Sequence, residues 1–203
     1  MSGRGETGMK QNNKLLIAVT GGIGSGKSEV IKVLATLGAN IISSDKINRE
    51  LLTEPSYISK MEAVFMKEKI VENGVINKKK LAELVFSNDK ALRKLNALAH
   101  PEIFRKIAER AREMDGVVFV EVPLLIETNQ QGQFDRVWLV KADTELRIER
   151  LKKRDNLTRE EALRIMAKQT TDTEREKYAT EIIENDGDEH GLALAVKALY
   201  DRL

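Results

Sequence analysis

The chain has 203 residues, of which 41% are hydrophobic and 33% are charged. This length and apolar content predict a globular protein with a sizeable core rather than a disordered chain. Lysine and arginine total 34 against 32 acidic residues, and a net charge of +2 does not favour nucleic acid as a partner. Cysteine is absent, which excludes disulfides and thiolate metal sites and suits a reducing compartment. We therefore expect a cytoplasmic protein.

The first 13 residues, MSGRGETGMKQNN, lack the apolar stretch of a signal peptide. No apolar run in the chain approaches the roughly 20 residues that span a bilayer. We expect residues 1–13 to form a disordered leader and the compact part of the chain to begin near Lys14. We do not expect the protein to bind membranes.

The next stretch predicts a strand, a glycine-rich turn and a helix. Leu15 to Val19 are apolar, and apolar residues recur at helical spacing from Glu29 to Leu34. Between them, Gly21 to Ser28 fit the phosphate-loop pattern G-x-x-x-x-G-K-[ST]. An ordinary glycine-rich turn is the alternative, but the strand and helix on either side favour a site for a nucleoside triphosphate.

Each part of the phosphate loop has an expected role in binding the nucleotide. Backbone amides of the loop and of the first helical turn bind phosphate, helped by the helix dipole. Lys27 is expected to contact the β- and γ-phosphates, and the Ser28 hydroxyl to ligate Mg²⁺. The residues predicted to bind the nucleotide here are Gly22, Ile23, Gly24, Ser25, Gly26, Lys27, Ser28 and Glu29.

A second apolar run, Ala39 to Ser43, completes a strand–helix–strand unit and predicts parallel strands. Ligands bind at the carboxyl ends of such strands, so Asp45 is expected beside the phosphate loop. One interpretation makes Asp45 the N-cap of a helix over 46–52. The other makes it a carboxylate that accepts the proton of an attacking hydroxyl group.

Residues 55–115 predict an all-helical insertion that divides the α/β core into 14–54 and 116–203. The insertion could recognise a phosphoryl acceptor, or it could only stabilise the core. His100 precedes Pro101 and is interpreted as a structural hydrogen-bonding residue rather than a proton carrier. The expected helices are 57–71, 78–86, 91–98 and 102–114, with a turn at 72–74 and an interruption at His100-Pro101.

The remaining strands are expected at 117–120, 135–140 and 181–184, which gives a sheet of five. Glu121 follows the first of these and is placed to hold Mg²⁺ through water. Trp138 lies in the second, where core packing is the favoured interpretation and a base-stacking platform is the alternative.

Arg147, Arg150 and Arg154 are spaced to share one face of a helix. They could form a solvated charged surface, or they could approach a triphosphate and offset charge during transfer. A capping box at Thr158 to Glu161 begins a further helix through Gln169. The two helices predict a helical hairpin that could serve as a lid over about 150–172.

Together these motifs resemble the dephospho-coenzyme A kinase family from Lys14 to the C-terminus. The matching segments are TGGIGSGKS at 20–28, DKINRE at 45–50, His100-Pro101, VPLLIE at 122–127, RLKKRDNLT at 150–158, Gln169 and Asn185. The resemblance implies transfer of the ATP γ-phosphoryl group to the ribose 3′-hydroxyl of dephospho-coenzyme A, the last step of coenzyme A synthesis. It also implies a P-loop kinase fold with a five-stranded parallel sheet, a helical substrate-binding insertion and a helical lid.

The resemblance further implies roles for individual residues. Asp45 would act as the base, Lys27 and Arg154 would complete the catalytic set, and Arg150 would lie near the nucleotide. Acceptor binding is assigned to His100, Pro123 and Leu124, and metal binding to Ser28 and Glu121. ATP and dephospho-coenzyme A are the expected partners of a monomer or small homo-oligomer.

The chain departs from the family pattern at several positions. Glu29, Ser43, Asn77-Lys78, Asn96 and Thr180 replace the family's Thr, Asp, Asp-Arg, Glu and Asp. These changes leave two alternatives open: a phosphate-loop kinase for another small acceptor such as a nucleoside monophosphate, and a nucleotide-binding protein without transfer activity.

Overall fold

The computed structural model describes residues 14–203; the leader predicted for residues 1–13 lies outside them. Five parallel strands form the central sheet in the order β2-β5-β1-β6-β7, which confirms the predicted sheet. Their bounds are β1 Leu15–Thr20, β2 Asn40–Ser43, β5 Val117–Glu121, β6 Arg136–Lys141 and β7 Glu181–Glu184. No helix within residues 14–203 is long and apolar enough to span a membrane.

The middle of the sheet is buried on both faces, as its continuous apolar strands require. On one face, α1 (Lys27–Thr36) and α9 (Glu189–Tyr200) cover Ile17, Phe119 and Trp138. Trp138 is fully buried and packs edge-on against Phe119, with ring centroids 5.0 Å apart. Trp138 is therefore a core residue, as favoured from the sequence, and not a platform for a base.

The opposite face packs against the insertion and against α2 (Ser44–Leu51). The insertion contains α3 Pro55–Val64, β3 Val71–Glu72, β4 Val75–Ile76, α4 Lys78–Ser87 and α5 Asp89–Arg112. Its buried side chains, among them Tyr57, Met61 and Ile107, share one core with Ala18, Val118 and Val120 of the sheet.

The prediction of an all-helical insertion was wrong at its centre. The helix expected over 57–71 ends at Val64, and β3 and β4 pair as a short antiparallel hairpin. Asn73 and Gly74 between them both have positive φ, at 52° and 75°. An Asn-Gly pair favours this tight turn because both residues tolerate left-handed backbone angles. The Asn-Gly signal was present in the sequence, but strands of two residues are too short to show the alternation of apolar and polar residues that predicts a strand.

The interruption expected at His100-Pro101 was also wrong. One helix, α5, runs through Pro101 without ending. A proline inside a helix removes one backbone hydrogen bond, here the bond to the Ala97 carbonyl, and crowds the preceding turn. Buried residues on both sides of it, including Ala91 and Ile107, pack into the same core. We attribute the continuity of α5 to this shared packing.

The predicted helical hairpin is present as α6 (Thr144–Asp155) and α7 (Arg159–Ala167). Asn156 links them with a left-handed φ of 54°, and the Thr158–Glu161 capping box begins α7. The polar stretch that follows was not predicted to be helical, yet Asp172–Glu176 forms a short helix, α8. Its Arg175 side chain is only 1% exposed.

Candidate active site

The phosphate loop between β1 and α1 presents unpaired backbone amides. Within residues 14–203, the N–H groups of Gly24, Gly26, Lys27 and Ser28 have no protein acceptor. Gly26 precedes α1 with a left-handed φ of 94°, a conformation that glycine adopts readily. Amides gathered at a helix N-terminus form an anion site, because they add to the positive end of the helix dipole.

The carbonyl groups of the same loop are held on its other side. Arg147 Nε donates to the Ile23 carbonyl at 2.8 Å, and Asn185 Nδ2 donates to the Ser25 carbonyl at 2.9 Å. Arg150 Nη1 donates to the carbonyls of Gly24 and Ser25 at 3.2 and 3.3 Å. These donors fix the orientation of the peptide groups, so the free amides face the cleft.

The Ile23 amide is used differently from its neighbours. It donates to Gln169 Oε1 at 2.8 Å, so it is bound by the protein rather than available to phosphate. The Ile23 side chain still lines the cleft. Gln169 lies just after α7, and this bond attaches the end of the hairpin to the loop.

Lys27 contacts two carbonyl groups of the loop, and its pKa is lowered. Its Nζ donates to the carbonyls of Gly21 and Gly22 at 2.8 and 3.1 Å. Burial, followed by the positive charge of Arg175 and then of Arg147, lowers the pKa of Lys27 to about 8, while Glu121 and Asp45 act in the opposite direction. A bound anion would favour the ammonium form and raise this pKa.

Asp45 lies in the first turn of α2 and is not its N-cap. The cap is Ser43, whose hydroxyl accepts from the Lys46 amide at 3.4 Å, so the capping interpretation of Asp45 was wrong. Asp45 is exposed and lines two cavities: a cleft of about 710 Å³ along the phosphate loop and an apolar cavity of about 230 Å³. Asp45 thus stands where the two spaces meet.

Glu121 ends β5 beside Ser43, its register partner on β2. Ser43 Oγ donates to Glu121 Oε2 at 3.2 Å, so the hydroxyl that replaces the family's carboxylate supports Glu121. Glu121 and Ser28 line the 710 Å³ cleft together. No group of three or more metal-binding side chains occurs within the part of the chain described. The side-chain oxygens of Glu121 and Ser28 suit Mg²⁺ if phosphate and water complete the coordination shell of the ion.

The 230 Å³ cavity lies between α2, α5 and the segment after β5. All three residues predicted to bind the acceptor, His100, Pro123 and Leu124, line it. Burial lowers the pKa of His100 below its usual value, which favours the neutral ring at pH 7. Asp45, Asn48, Phe104 and Thr128 also line it, and no sequence motif predicted the last three as acceptor-binding residues.

The arginine stripe on α6 divides into three different environments. Arg147 is 6% exposed and also pairs with Asp172 at 3.0 Å, so it is not a solvated surface residue. Arg150 contacts the loop and the Asn185 carbonyl. Arg154 lines the cleft with its side chain 60% exposed and pairs with Asp155 at 2.6 Å. Glu29 also lines the cleft and pairs with Lys32 at 2.9 Å.

Comparisons with known proteins identify the family of the chain. A family model described as dephospho-CoA kinase matches residues 15–190. The dephospho-CoA kinase of Dehalococcoides mccartyi is 38% identical over 84% of this chain and 88% of its own length. That of Geobacter metallireducens is 37% identical over 92% of this chain and 95% of its own length.

Solved structures give the same result. A Thermus thermophilus protein aligns with a TM-score of 0.81 at 33% identity, covering 94% of this chain and 98% of its own. A dephospho-CoA kinase from Campylobacter jejuni aligns with a TM-score of 0.73 at 29% identity, covering 93% and 96%. A shikimate kinase from Acinetobacter baumannii, with a TM-score of 0.50 at 22% identity, shares the fold alone.

We predict that Gly26→Ala disrupts the phosphate loop. An added Cβ would lie 2.0 Å from Asn185 Nδ2, and the left-handed backbone adds a strain of about 1 kcal/mol. The variant should lose nucleotide binding and unfold at lower denaturant concentration. Gly38→Ala is the matched control, because Gly38 has φ +79° but open space around it. Equal loss of stability in the two variants, with binding kept in both, would contradict the prediction.

Proposed function

The chain belongs to the dephospho-CoA kinase family, and we propose that its two adjoining cavities divide the reaction between them. The 710 Å³ cleft binds ATP, and the 230 Å³ cavity receives part of dephospho-coenzyme A, with the ribose 3′-hydroxyl at their junction. The observation that carries this proposal is the position of Asp45, which lines both spaces. The products are coenzyme A and ADP.

On the ATP side, the free amides of Gly24, Gly26, Lys27 and Ser28 receive the phosphate oxygens. Lys27 leaves the carbonyls of Gly21 and Gly22 and contacts the β- and γ-phosphates, which returns it fully to the ammonium form. Ser28 would ligate Mg²⁺ directly, and Glu121 would hold it through water. When bound, Mg²⁺ neutralises negative charge on the transferring phosphoryl group.

On the acceptor side, Asp45 accepts the proton of the 3′-hydroxyl as the hydroxyl oxygen attacks the γ-phosphorus, and the bond between that phosphorus and the β–γ bridging oxygen breaks to release ADP. Correct placement of the two reactants is the larger part of phosphoryl-transfer catalysis. His100, Pro123 and Leu124 hold the acceptor against α5 so that the hydroxyl reaches Asp45. The neutral ring of His100 suits hydrogen bonding to the acceptor rather than charge pairing.

The hairpin of α6 and α7 acts as the lid over the nucleotide. Arg154 leaves Asp155, a partly exposed partner, and approaches the phosphates, where it offsets charge that develops during transfer. Arg150 supports the nucleotide from the loop that it already contacts. Lys168, at the end of α7, lies 5.3 Å from the ring centroid of Phe86 on α4. The lid therefore also contacts the insertion, which suits the exclusion of water from both substrates.

A phosphoryl-transfer assay tests the proposed function. Purified protein with ATP and Mg²⁺ should convert dephospho-coenzyme A to coenzyme A, with kcat/KM at least 100-fold higher than for AMP or another nucleoside monophosphate. Comparable or higher kcat/KM for a nucleoside monophosphate would identify a kinase for another acceptor. ATP binding without transfer to any acceptor would identify a non-catalytic nucleotide-binding protein.

Replacing the proposed base should remove turnover but preserve the fold. Because Asp45 is exposed and Ser43 caps α2, Asp45→Asn should lower kcat by roughly 100-fold or more with little change in stability. Asp89→Asn is the matched control, since Asp89 occupies the first turn of α5 and lines neither cavity. Wild-type kcat in Asp45→Asn would refute the role of Asp45 as base.

The pKa of Lys27 predicts proton uptake on ATP binding. The free protein releases this proton near pH 8, whereas the nucleotide complex retains it to higher pH. Between pH 8 and 10, ATP affinity should fall as pH rises, because phosphate oxygens with a pKa of about 6 no longer titrate there. Calorimetry at pH 8.5 in buffers of different ionisation enthalpy should show proton uptake.

The same pKa predicts how stability depends on pH. The folded pKa of about 8 lies below lysine's ordinary pKa of 10.5, so the unfolded chain binds more protons between these values and stability rises with pH across that window. Lys27→Met should remove both this rise and the proton uptake. Unchanged pH dependence in Lys27→Met would show that another group is responsible.

A further inference from the structure

We propose that Arg175 is a positioning residue that couples the acceptor side of the site to the phosphate loop. This inference rests on the proposed function, because it assigns the two sides of the site to dephospho-coenzyme A and ATP. Nothing in the sequence analysis singled out Arg175, which lies in a polar stretch without a recognised motif.

Arg175 first connects α8 to the segment that follows β5. Its Nη2 donates to Glu127 Oε1 at 2.7 Å, and the Thr170 amide donates to the same oxygen at 3.0 Å. Glu127 ends the segment 122–127, which supplies Pro123 and Leu124 to the acceptor cavity. Arg175 thus anchors the far end of the segment that lines this cavity.

The second connection runs from Arg175 to the phosphate loop. Arg175 Nη1 donates to Asp172 Oδ1 at 3.0 Å, and Arg147 Nη1 donates to Asp172 Oδ2 at 3.0 Å. Arg147 Nε then donates to the Ile23 carbonyl at 2.8 Å. A continuous series of charge-assisted hydrogen bonds therefore joins Glu127 to the loop. Such bonds are short and directional, so a displacement of one residue displaces the residues bonded to it.

The burial of Arg175 distinguishes this network from the surface ion pairs of the chain. Its side chain is 1% exposed, and its Nε has no acceptor among residues 14–203. A buried cation with an unpaired donor is poorly explained by stability alone.

Variants at the two carboxylates that bind Arg175 should separate its two connections. Glu127→Gln removes the carboxylate that anchors the acceptor segment, so KM for dephospho-coenzyme A should rise about 10-fold while the Kd for ATP stays within 3-fold. Asp172→Asn breaks the link to Arg147, so the Kd for ATP should rise about 10-fold. These polar replacements keep side-chain volume, which favours folding.

Arg175 itself is tested by two replacements. Arg175→Lys keeps the charge but cannot bridge both carboxylates, so it should raise KM for dephospho-coenzyme A about 10-fold. Arg175→Met also removes the bond to Asp172, so the Kd for ATP should rise about 10-fold as well. Arg105→Lys is the matched control, because Arg105 bridges Glu102 and Glu109 on the surface of α5; it should change neither quantity.

Loss of stability in the Arg175 variants, with KM for dephospho-coenzyme A and Kd for ATP both unchanged, would show a purely structural residue and overturn the proposal. If the Arg175 variants do not fold, an unchanged KM for dephospho-coenzyme A in Glu127→Gln together with an unchanged Kd for ATP in Asp172→Asn would overturn it. Failure of the wild type to phosphorylate dephospho-coenzyme A would refute the proposed function instead. The Kd for ATP needs no turnover and would still test Arg175.

Discussion

The orientation of the peptide groups in the phosphate loop is the constraint on which the rest of the site depends. Amides can converge on one point only if the carbonyls of the same peptides are held elsewhere. Here Arg147, Arg150 and Asn185 bind the carbonyls of Ile23 to Ser25. These donors come from α6 and from the end of β7, so the loop takes its shape from elements far along the chain. Helix α6 is thereby part of the phosphate-loop site before any substrate binds.

The same arrangement concentrates positive charge around Lys27. Two buried guanidinium groups, those of Arg147 and Arg175, lower its pKa together with burial itself. Asp172 compensates for both of them, with Oδ1 and Oδ2 each accepting one bond at 3.0 Å. A site built to receive several negative charges is destabilised without them. Nucleotide binding should therefore stabilise the whole chain, since it binds the folded state alone.

The sequence predicted those parts of the molecule whose signals are local. The phosphate loop, the five strands and the capping box at Thr158 each depend on neighbouring residues, and the structure contains all of them. The interruption predicted at Pro101 is absent because packing at Ala91 and Ile107 outweighs the loss of one helical hydrogen bond. Arg147 and Arg175 could not be recognised as buried, because their partners Ile23 and Glu127 are 124 and 48 residues away. Only the folded chain reveals which charged side chains are interior.

Because Asn185 follows β7, the phosphate loop depends on a strand that is synthesised long after the loop itself. Its side chain reaches the Ser25 carbonyl across 160 residues of sequence, and it becomes available only when β7 has paired with β6. A nascent chain that ends before β7 carries every residue of the phosphate-loop motif, yet it lacks one of the donors that shape the loop. Contacts of such long range form late in folding, because closing the intervening chain is entropically costly. The set of donors that shapes the loop is thus complete only once β7 has paired with β6.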